Sequence, residues 1–382
     1  MKIGFIKKRF SLHGGAERYL ETLMMEFRKA GCDVHIFAER WDGETGAVFH
    51  RVPSVRCASF LSALSFNYGV CRALRKVSRL DCVISLERTT CQDIYRAGEG
   101  CHAEWLEIRS AYEPAYKRAS FRINPLHLAL LNLEKRLFSA TGIIVANSKM
   151  VKEQIIKHYS VPAEKITIIY NGVDLDRFNP AGKEAVRAGL RRELGIAHGS
   201  RMVLFVGSGF ERKGLGTLVE AAARLKRDDI TLVIVGSGDD KAYSQKAAGT
   251  GFSGRVIFTG PRKDVDRFYA AADLFVLPTL YDPFSNATLE AMASGLPVIT
   301  TRNNGAAEFL EDGREGYVMR DLADVHGLAD MMAASLEDGV GMGVRAREKA
   351  AEFPIGKAAE EFLGLVTSLA GPRSGKDTPK DI

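Results

Sequence analysis

The sequence is poor in the features that mark secreted, zinc-stabilised and membrane-spanning proteins. Only six of its 382 residues are cysteines, all within the first 101 residues and none in a Cys-x-x-Cys pair. A zinc site and a redox motif are therefore both unexpected. No segment approaches the ~20 consecutive apolar residues that a membrane-spanning helix requires. The apolar run that ends at Ile6 is far too short for a signal peptide, so we expect it to be the first core strand of a cytoplasmic protein.

Length and composition indicate a two-domain globular protein. A chain of 382 residues exceeds one ordinary core, and its apolar fraction of 46% and charged fraction of 26% are typical of globular proteins. Residues 1–175 hold 26 Lys and Arg against 18 Asp and Glu, a net charge of +8, whereas the remaining residues hold 27 against 29, a net charge of −2. We therefore expect an acidic partner to meet the basic N-terminal half.

Strands and helices alternate along nearly the whole chain, which predicts parallel, doubly wound sheets of the α/β class. The first series of predicted strands is Ile3–Ile6, Val34–Ala38, Cys82–Leu86, Gly142–Ala146 and Ile166–Ile169, with helices near 15–30, 62–79 and 149–159. The second series is Met202–Gly207, Thr231–Gly236, Arg255–Thr259, Leu274–Leu277 and Pro297–Thr300. This pattern predicts two Rossmann-like domains in succession.

The turn-rich segment Tyr170–Asp174 is the predicted junction between the domains. We expect an N-terminal domain over 1–170 and a C-terminal domain over 171–354, with a helix near 355–370 that packs back on the first domain. Residues 371–382 are polar and contain proline, which predicts a disordered tail. Open α/β sheets bind ligands beyond the carboxyl ends of their strands, so two facing domains predict a cleft there.

The segment Pro278–Thr301 combines a strand, a loop, a helix and another strand, and it holds a candidate ligand site. Asp282 precedes the helix and Glu290 lies within it, so two carboxylates could bracket one ligand. We expect the backbone amides of Phe284, Ser285 and Asn286 to point out of the helix N-terminus, where an anion such as a diphosphate is favoured. A buried amphipathic helix with a capping loop is the alternative.

Two further loops follow predicted strands. Arg212 and Lys213 stand where a strand gives way to a helix, which places two cations and backbone amides at one point suited to a diphosphate. A solvated basic turn is the alternative. Gly14 and Gly15 follow the first strand and allow close approach of the backbone to a ligand. A plain tight turn is about as probable for this pair.

These motifs resemble glycosyltransferase family 4, the retaining enzymes of the GT-B fold, whose donor loop is written E-G-F-G-x4-E-A. In this sequence Asp282 stands in place of the first Glu, and Pro283 and Ser285 replace the two glycines. The resemblance covers about residues 1–365. It implies the following donor contacts: Glu290 on the ribose hydroxyls, Asp282 on a sugar hydroxyl, Arg212 and Lys213 on the diphosphate, Arg262 on the base edge, Arg177 as a further contact, and the loop with Gly14 and Gly15 near the phosphates.

The segment Asp93–Trp105 extends the resemblance to the glucosyltransferases that add the first glucose to the heptose region of lipopolysaccharide core. Glu99 and His102 are three residues apart within it, and both could reach one acceptor hydroxyl. A purely structural role for His102 is a serious alternative, because nothing local defines its function.

The segment 114–137 mixes basic side chains with Tyr116, Phe121 and a leucine-rich run, and its only acidic residue is Glu134. Such a surface suits an anionic membrane face. A core helix preceded by a solvated basic loop is the alternative.

The resemblance implies an enzyme that transfers glucose from UDP-glucose to an inner-core heptose of lipopolysaccharide, peripheral on the cytoplasmic face of the inner membrane. The donor would occupy the C-terminal domain and the acceptor the N-terminal domain. We expect no divalent metal, because no Asp-x-Asp lies at a strand end near the cleft, and no nucleic-acid partner. The alternatives are a transferase with another donor or acceptor, a sugar-nucleotide epimerase and a non-catalytic sugar-nucleotide-binding protein. An oxidoreductase is less expected, since no Gly-x-Gly-x-x-Gly follows the first strand.

Overall fold

The computed structural model describes residues 1–10, 15–41 and 46–370. Nine strands form within the N-terminal half: β1 (Lys2–Ile6), β2 (Arg9–Phe10), β3 (Asp33–Ala38), β4 (Arg40–Trp41), β5 (Val48–Arg51), β6 (Cys82–Ser85), β7 (Ile94–Arg96), β8 (Ile143–Ala146) and β9 (Ile166–Ile168). Six helices accompany them: α1 (Gly15–Lys29), α2 (Ser59–Leu74), α3 (His102–Tyr112), α4 (Ala115–Phe121), α5 (Pro125–Ala140) and α6 (Lys149–Tyr159). The expected tail 371–382 lies outside the described residues.

The C-terminal half continues the alternation. Its strands are β10 (Arg201–Val206), β11 (Ile230–Val235), β12 (Arg255–Gly260), β13 (Leu274–Leu277), β14 (Val298–Thr301) and β15 (Gly316–Met319). Its helices are α7 (Glu184–Glu193), α8 (Leu215–Arg224), α9 (Asp240–Gly249), α10 (Val265–Ala271), α11 (Asn286–Ala293), α12 (Val325–Glu337), α13 (Gly339–Ala350) and α14 (Ile355–Ala370). Short 3-10 turns occupy Ala163–Lys165 and Gly305–Phe309.

Two parallel sheets carry the fold, as the alternating pattern predicts. The first has the order β5-β3-β1-β6-β7-β8-β9 and the second the order β12-β11-β10-β13-β14-β15. Every position of β11, β13 and β14 is buried, as expected for parallel strands covered by helices on both faces. β2 and β4 form a separate two-stranded pair. The predicted α/β class and the two Rossmann-like domains are confirmed.

The chain crosses between the domains twice, and the two crossings lie side by side. The Val173 amide donates to the Phe353 carbonyl at 2.9 Å, and the Ile355 amide donates to the Val173 carbonyl at 3.0 Å. A Cβ at Gly172 would lie 2.6 Å from the Pro354 carbonyl oxygen, so a residue without a side chain is needed where the crossings touch.

The last helix belongs to the first domain's core although it ends the described chain. Ala358, Ala359, Phe362 and Val366 of α14 are buried in one cluster with residues of α1 and the first sheet. No helix within residues 1–10, 15–41 and 46–370 is long and apolar enough to cross a membrane.

Candidate functional site

Two loops of the second domain bring Arg212, Lys213 and Asp282 together. The loops follow β10 and β13, which are neighbours in a parallel sheet and therefore end at the same edge. Lys213 forms an ion pair with the Asp282 carboxylate, and both side chains are largely buried. The Arg212 guanidinium donates to the Tyr281 carbonyl at 3.3 Å. Two cations thus lie at one strand-end edge, with one carboxylate between the loops.

The helix that follows this loop, α11, begins at Asn286. Ser285 is its N-cap and accepts a hydrogen bond from the Thr288 amide at 3.2 Å. The Ser285 amide donates to the side-chain oxygen of buried Asn304 at 3.1 Å. One of the three amides expected to face an anion is therefore already bonded within the protein, because Asn304 ties the helix start to the loop after β14.

Phe284 and Asn286 flank this cap and are held by different contacts. The Phe284 ring is buried, and its centroid lies 5.6 Å from that of Phe309. The Asn286 side-chain oxygen accepts a hydrogen bond of 2.7 Å from the side-chain amide of Asn171 at the domain crossing. Phe284 therefore contributes packing, whereas Asn286 connects the helix start to the crossing.

Glu290 lies one turn inside α11 and is partly buried. The Tyr269 hydroxyl donates to Glu290 Oε2 at 3.0 Å. Burial raises the pKa of Glu290 to about 7, and the Tyr269 hydrogen bond and the Arg177 charge offset only part of that increase. The carboxyl group is thus poised to change charge near neutral pH, and its ionised form would gain from additional hydroxyl donors.

Arg177 and Arg262 are both paired with carboxylates. Arg177 Nε and Nη2 donate to Asp266 at 3.0 and 2.8 Å. Arg262 Nε and Nη2 donate to Asp264 at 2.9 and 2.8 Å, in a pair that is about one-third exposed. Both arginines lie in the second domain near Lys263, whose carbonyl also accepts from Arg177 at 2.6 Å. Among the described residues, no contact links Arg177 or Arg262 to Lys213.

In the first domain, Glu99 pairs with Arg88. Arg88 also donates to the fully buried Glu134 at 2.8 Å, so it bridges two carboxylates. Burial alone would raise the pKa of Glu99, but the charges of Arg88 and Lys7 outweigh it and hold that pKa below its usual value. Glu99 is therefore ionised at neutral pH.

His102 is held by other partners. Its ring lies against His127, with 3.1 Å between His102 Nε2 and His127 Nδ1, and its backbone amide donates to Glu134 at 2.8 Å. Burial, reinforced by Arg88 and His127, lowers the pKa of His102 to about 4. His102 is thus a neutral, buried ring at the start of α3, which weakens the expectation that it shares one hydroxyl with Glu99.

The two domains meet at Tyr281, one residue before Asp282. The Cys101 amide donates to the Tyr281 hydroxyl at 3.0 Å, and that hydroxyl donates to Gln154 at 2.8 Å. Ser148 also donates across the boundary, to the Pro283 carbonyl at 2.9 Å. The loop that carries Asp282 therefore rests directly on the segment that carries Glu99 and His102.

Comparisons with known proteins identify the family of this chain. Residues 13–177 match the description Glycosyltransferase Family 4, and residues 200–338 match Glycosyl transferases group 1. The lipopolysaccharide core biosynthesis glycosyltransferase LpsE of Rhizobium meliloti is 32% identical over 260 residues, which cover 68% of this chain and 72% of LpsE. The chain belongs to glycosyltransferase family 4.

Other relatives match different shares of this chain. The lipopolysaccharide glucosyltransferase WaaG of Escherichia coli is 26% identical over 329 residues, 84% of this chain and 86% of WaaG. A D-inositol 3-phosphate glycosyltransferase of Nocardia farcinica is 33% identical over 271 residues, which span 64% of this chain and only 58% of that protein.

Solved structures show the GT-B fold. The WaaG crystal structure has a TM-score of 0.84 at 23% identity and covers 96% of this chain and 99% of that chain. Anabaena HepE in complex with UDP-glucose has a TM-score of 0.73 at 20% identity and covers 96% of this chain and 100% of that chain.

Several residues of the cleft were not among the family-based expectations. Arg88, Glu134 and Tyr281 organise the Glu99 segment and the contact between the domains, as described above. Arg88 follows β6 by three residues, and its place at a strand end was the one local signal available. Gly14 lies outside the described residues, and α1 begins at Gly15.

Gly100 lies where the two domains of this chain touch, so a side chain added there tests the importance of that contact. It has φ +68°, and a Cβ there would meet the Tyr281 hydroxyl and lie 2.6 Å from Pro283. We expect Gly100→Ala to lower the rate of glycosyl transfer at least tenfold, because a displacement of about 1 Å can cost a hundredfold in rate. Steady-state kinetics would measure this loss.

Gly182→Ala is the matched control, because Gly182 also has φ +68° but nothing lies within 4 Å of its added Cβ. Both variants should pay a backbone cost of about 1–2 kcal/mol. Equal rates of transfer in the two variants would contradict a role for the Gly100 contact in catalysis.

Proposed function

We propose that this chain is a retaining glycosyltransferase that transfers glucose from UDP-glucose to an inner-core heptose of lipopolysaccharide. The main supporting observation is the pair of joined loops that brings Arg212 and Lys213 beside Asp282 at one strand-end edge. Its family relatives WaaG and LpsE, both named for lipopolysaccharide, match most of the chain.

In this proposal the diphosphate of the donor binds between the two loops. Lys213 then exchanges part of its contact with Asp282 for phosphate oxygens, and Arg212 adds a second cation. These groups, together with the start of α11, stabilise the charge that develops on the departing diphosphate. Asp282 is one methylene shorter than the family's usual glutamate, and its carboxylate, released from Lys213, accepts a hydroxyl of the sugar.

The nucleoside is held further along the same edge. Glu290 accepts the two ribose hydroxyls, which favour its ionised form. Arg262 reaches the base edge after leaving an ion pair that is about one-third exposed and therefore inexpensive to break. Arg177, which lies close enough to Glu290 to affect its pKa, adds a further contact.

The acceptor lies on the first domain, where Glu99 contacts its hydroxyl. We assign His102 the role of a neutral neighbour, since a pKa of about 4 leaves it uncharged at neutral pH. The new bond forms on the face that the diphosphate leaves, and a donor phosphate oxygen takes the acceptor proton. Contact between the domains excludes water, so that the activated sugar is not hydrolysed.

A second acceptor class is favoured by a specific observation. The D-inositol 3-phosphate glycosyltransferase of Nocardia farcinica is as similar over its matched part as the lipopolysaccharide enzymes are. The alternative is therefore the same transfer to a phosphorylated inositol.

One experiment separates these functions. The purified protein is incubated with UDP-, GDP- and ADP-sugars, alone and with heptose-terminated core oligosaccharide or inositol 3-phosphate, and products are identified by mass spectrometry and NMR. We expect slow hydrolysis of UDP-glucose alone and an α-linked glucose on the oligosaccharide. Free epimer without acceptor would indicate an epimerase, and nucleotide binding without any product would indicate a non-catalytic protein.

The same reaction in excess EDTA tests metal dependence. We propose that the cations and helix amides offset the diphosphate charge without a divalent ion. Glu104, Glu107 and His158 form a group that could hold an ion, but Lys157 already lies 2.9 and 2.7 Å from the two carboxylates. Full activity in EDTA is expected, and a strict need for Mn²⁺ or Mg²⁺ would contradict this part of the proposal.

We further propose that the enzyme binds the cytoplasmic face of the inner membrane through α4 and the start of α5. Tyr116, Ile123 and Leu128 are 72%, 76% and 50% exposed. Lys117, Arg118 and Arg122 are exposed beside them, which gives the combination of cations and apolar side chains that suits an anionic membrane surface.

Part of this segment serves the core instead. Phe121 is buried, and Leu133, Leu137 and Phe138 cover the inner face of α5. The membrane proposal therefore rests on the exposed surface alone, and the leucine-rich run belongs largely to the interior.

Vesicle co-sedimentation tests the membrane contact. Replacing Lys117, Arg118 and Arg122 with Gln should weaken binding to anionic vesicles, because each basic side chain near the surface contributes about 1 kcal/mol. Binding should also fall at high salt. The control replaces Arg75, Lys76 and Arg79, three exposed basic residues at the end of α2. Equal binding by both triple variants, or equal binding to neutral vesicles, would contradict the proposal.

A further inference from the structure

A cavity of about 390 Å³ opens on the first domain, and its described lining includes no residue of the loops that carry Arg212, Lys213 and Asp282. Lys7 and Lys8 line it just after the carboxyl end of β1, Arg9 lines it from the start of β2, and Glu87 lies beyond the neighbouring strand β6. Arg56 also lines it. We call this cavity the Lys8 pocket. Its position at the carboxyl edge of a parallel sheet is where such folds bind ligands.

Among the described residues that line the Lys8 pocket, cations outnumber carboxylates. Lys7 pairs with Glu87 at 2.9 Å, and Arg56 pairs with the buried Glu39 at 2.6 Å, with Arg9 3.5 Å from the same carboxylate. These three cations share two carboxylates, and Lys8 is a fourth cation in the described lining. The Arg9 and Arg56 side chains remain 63% and 65% exposed, so they can turn toward a bound group.

Unlike the other cations of the pocket, the Lys8 ammonium group donates its hydrogen bonds to uncharged oxygens. It donates to Ser62 Oγ at 2.7 Å and to the Ser62 carbonyl at 3.2 Å. Burial lowers the pKa of Lys8, and the nearby carboxylates compensate for only part of this. A negative ion in the pocket would relieve that cost, because opposite charges favour the ionised ammonium.

The N-terminus of α2 faces the same pocket through Ser59 and Ser62. The N-cap residue, Ala58, has no side chain that can accept a hydrogen bond, and the first turn holds no acidic residue. The partial positive charge of this 16-residue helix is therefore left without a side-chain anion. The uncapped helix start and the excess of cations are independent features that select the same kind of ligand.

The pocket adjoins the acceptor side of the cleft. Glu87 is followed by Arg88, which pairs with Glu99, and the charge of Lys7 contributes to lowering the pKa of Glu99. The cations of the donor loops belong to the other domain.

We infer that the Lys8 pocket binds an anionic substituent, a phosphate or a carboxylate, of the sugar acceptor. This inference rests on the proposed function in one respect, that the acceptor occupies the first domain. It restricts the acceptor to negatively charged saccharides, and it agrees with the basic character of the N-terminal half.

The first test measures anion binding without any transfer. Inorganic phosphate is titrated at constant ionic strength into protein saturated with UDP, so that the donor site is occupied, and binding is followed by NMR. The test variant is Lys8→Gln with Arg9→Gln. Glutamine at position 8 can still form a hydrogen bond with Ser62, and Glu39 still has Arg56 as its ion-pair partner. The double variant should therefore fold.

The control variant is Arg75→Gln with Lys76→Gln, which removes the same charge near the far end of α2, about 24 Å along a 16-residue helix. We expect phosphate affinity to fall roughly tenfold or more in the test variant, as for loss of charge-assisted hydrogen bonds, and to be unchanged in the control. Equal phosphate binding by the wild type and the test variant would overturn the inference, whether or not the protein transfers glucose.

The second test uses transfer and distinguishes the source of the anion. Core oligosaccharide is compared in its native form, after removal of phosphate and after reduction of carboxyl groups. The acceptor KM of the wild type should rise roughly tenfold for the form that lacks the recognised anion, and the test variant should show that higher KM for every form. Donor hydrolysis should be unaffected. Equal acceptor KM values for the three forms would overturn the inference. It would also be overturned if the test variant lost vesicle binding but kept its acceptor KM, because the pocket would then bind a lipid headgroup.

Discussion

Lys213→Ala is expected to lower the rate of glycosyl transfer by about a hundredfold to a thousandfold, the usual loss when one group that stabilises developing negative charge is removed. The reason is the position of Lys213 at the β10 strand end, beside Arg212 and across from Asp282. Steady-state kinetics with UDP-glucose and acceptor, together with calorimetry of sugar-nucleotide binding, would measure the effect.

A structural role of Lys213 must be separated from this catalytic one. Its removal leaves the largely buried Asp282 carboxylate without its partner, which can cost about 3 kcal/mol of stability. Lys213→Ala combined with Asp282→Asn removes that unpaired charge. The double variant should recover thermal stability but remain inactive. Recovery of activity together with stability would show that the ion pair only supports the fold.

A second lysine supplies the matched control. Lys246 pairs with Glu220 at 2.5 Å in the same domain, with both side chains more than one-third exposed. Lys246→Ala should change transfer little, because exposed ion pairs contribute only about 0–1 kcal/mol. Asp282→Glu, which restores the family's usual residue, should also remain active.

The proximity of the loops that carry Arg212 and Asp282 could be predicted from the sequence because each loop follows a strand of the same parallel sheet. In a parallel sheet, loops after neighbouring strands leave at one edge, so Arg212 and Asp282 are brought together whatever lies between them. The strands themselves are continuous apolar runs such as Ile230–Val235, which local patterns reveal well.

The arrangement of α3, α4 and α5 could not be predicted in this way. Glu134 reads as a lone acid in a basic segment, yet it is fully buried. It accepts from Arg88 and Tyr159 and from the His102 backbone amide, across 46, 25 and 32 residues of sequence. Tertiary contacts bring the residues of this cluster together, so no local sequence pattern predicts it.

The start of α11 shows the same limit on a smaller scale. The sequence predicts the helix but not that Ser285 caps it, and the acceptor for the Ser285 amide is Asn304, 19 residues away. The short strand β7 was missed for a related reason. It has three residues, and its last, Arg96, is buried against the Tyr19 ring and donates to Asn171 at 2.5 Å. Buried arginine in a core strand contradicts the usual pattern.

Glu290→Gln is expected to weaken binding of UDP-glucose and to abolish its dependence on pH. The pKa of Glu290 is raised to about 7 in the free protein. If the ionised carboxylate accepts two ribose hydroxyls, the wild-type affinity should increase as pH rises through 7 and level off above it. Calorimetry with the sugar nucleotide is the measurement, because its diphosphate is a diester without an ionisation near neutral pH.

A nucleotide that lacks the ribose hydroxyls provides the control. The dideoxy analogue should bind wild type and Glu290→Gln equally, since neither protein then has hydroxyls to bind. A difference that persists with the analogue would place Glu290 elsewhere than on the ribose.

Stability should respond to the same carboxyl group with the opposite dependence on pH. The pKa of Glu290 is higher in the folded protein than its usual value of 4.5, so folding favours the protonated form. The contribution of Glu290 to the free energy of unfolding is therefore complete below pH 4.5 and is lost as pH rises to about 7. Denaturant titrations should show this decrease in the wild type, and the decrease should be smaller in Glu290→Gln.

Tighter donor binding at the pH where the protein is less stable would show that the ionised Glu290 carboxylate is unfavourable in the free protein and is stabilised by the ligand. If stability and affinity instead rise together through pH 7, the carboxylate is already satisfied within the protein and is not available to the ribose.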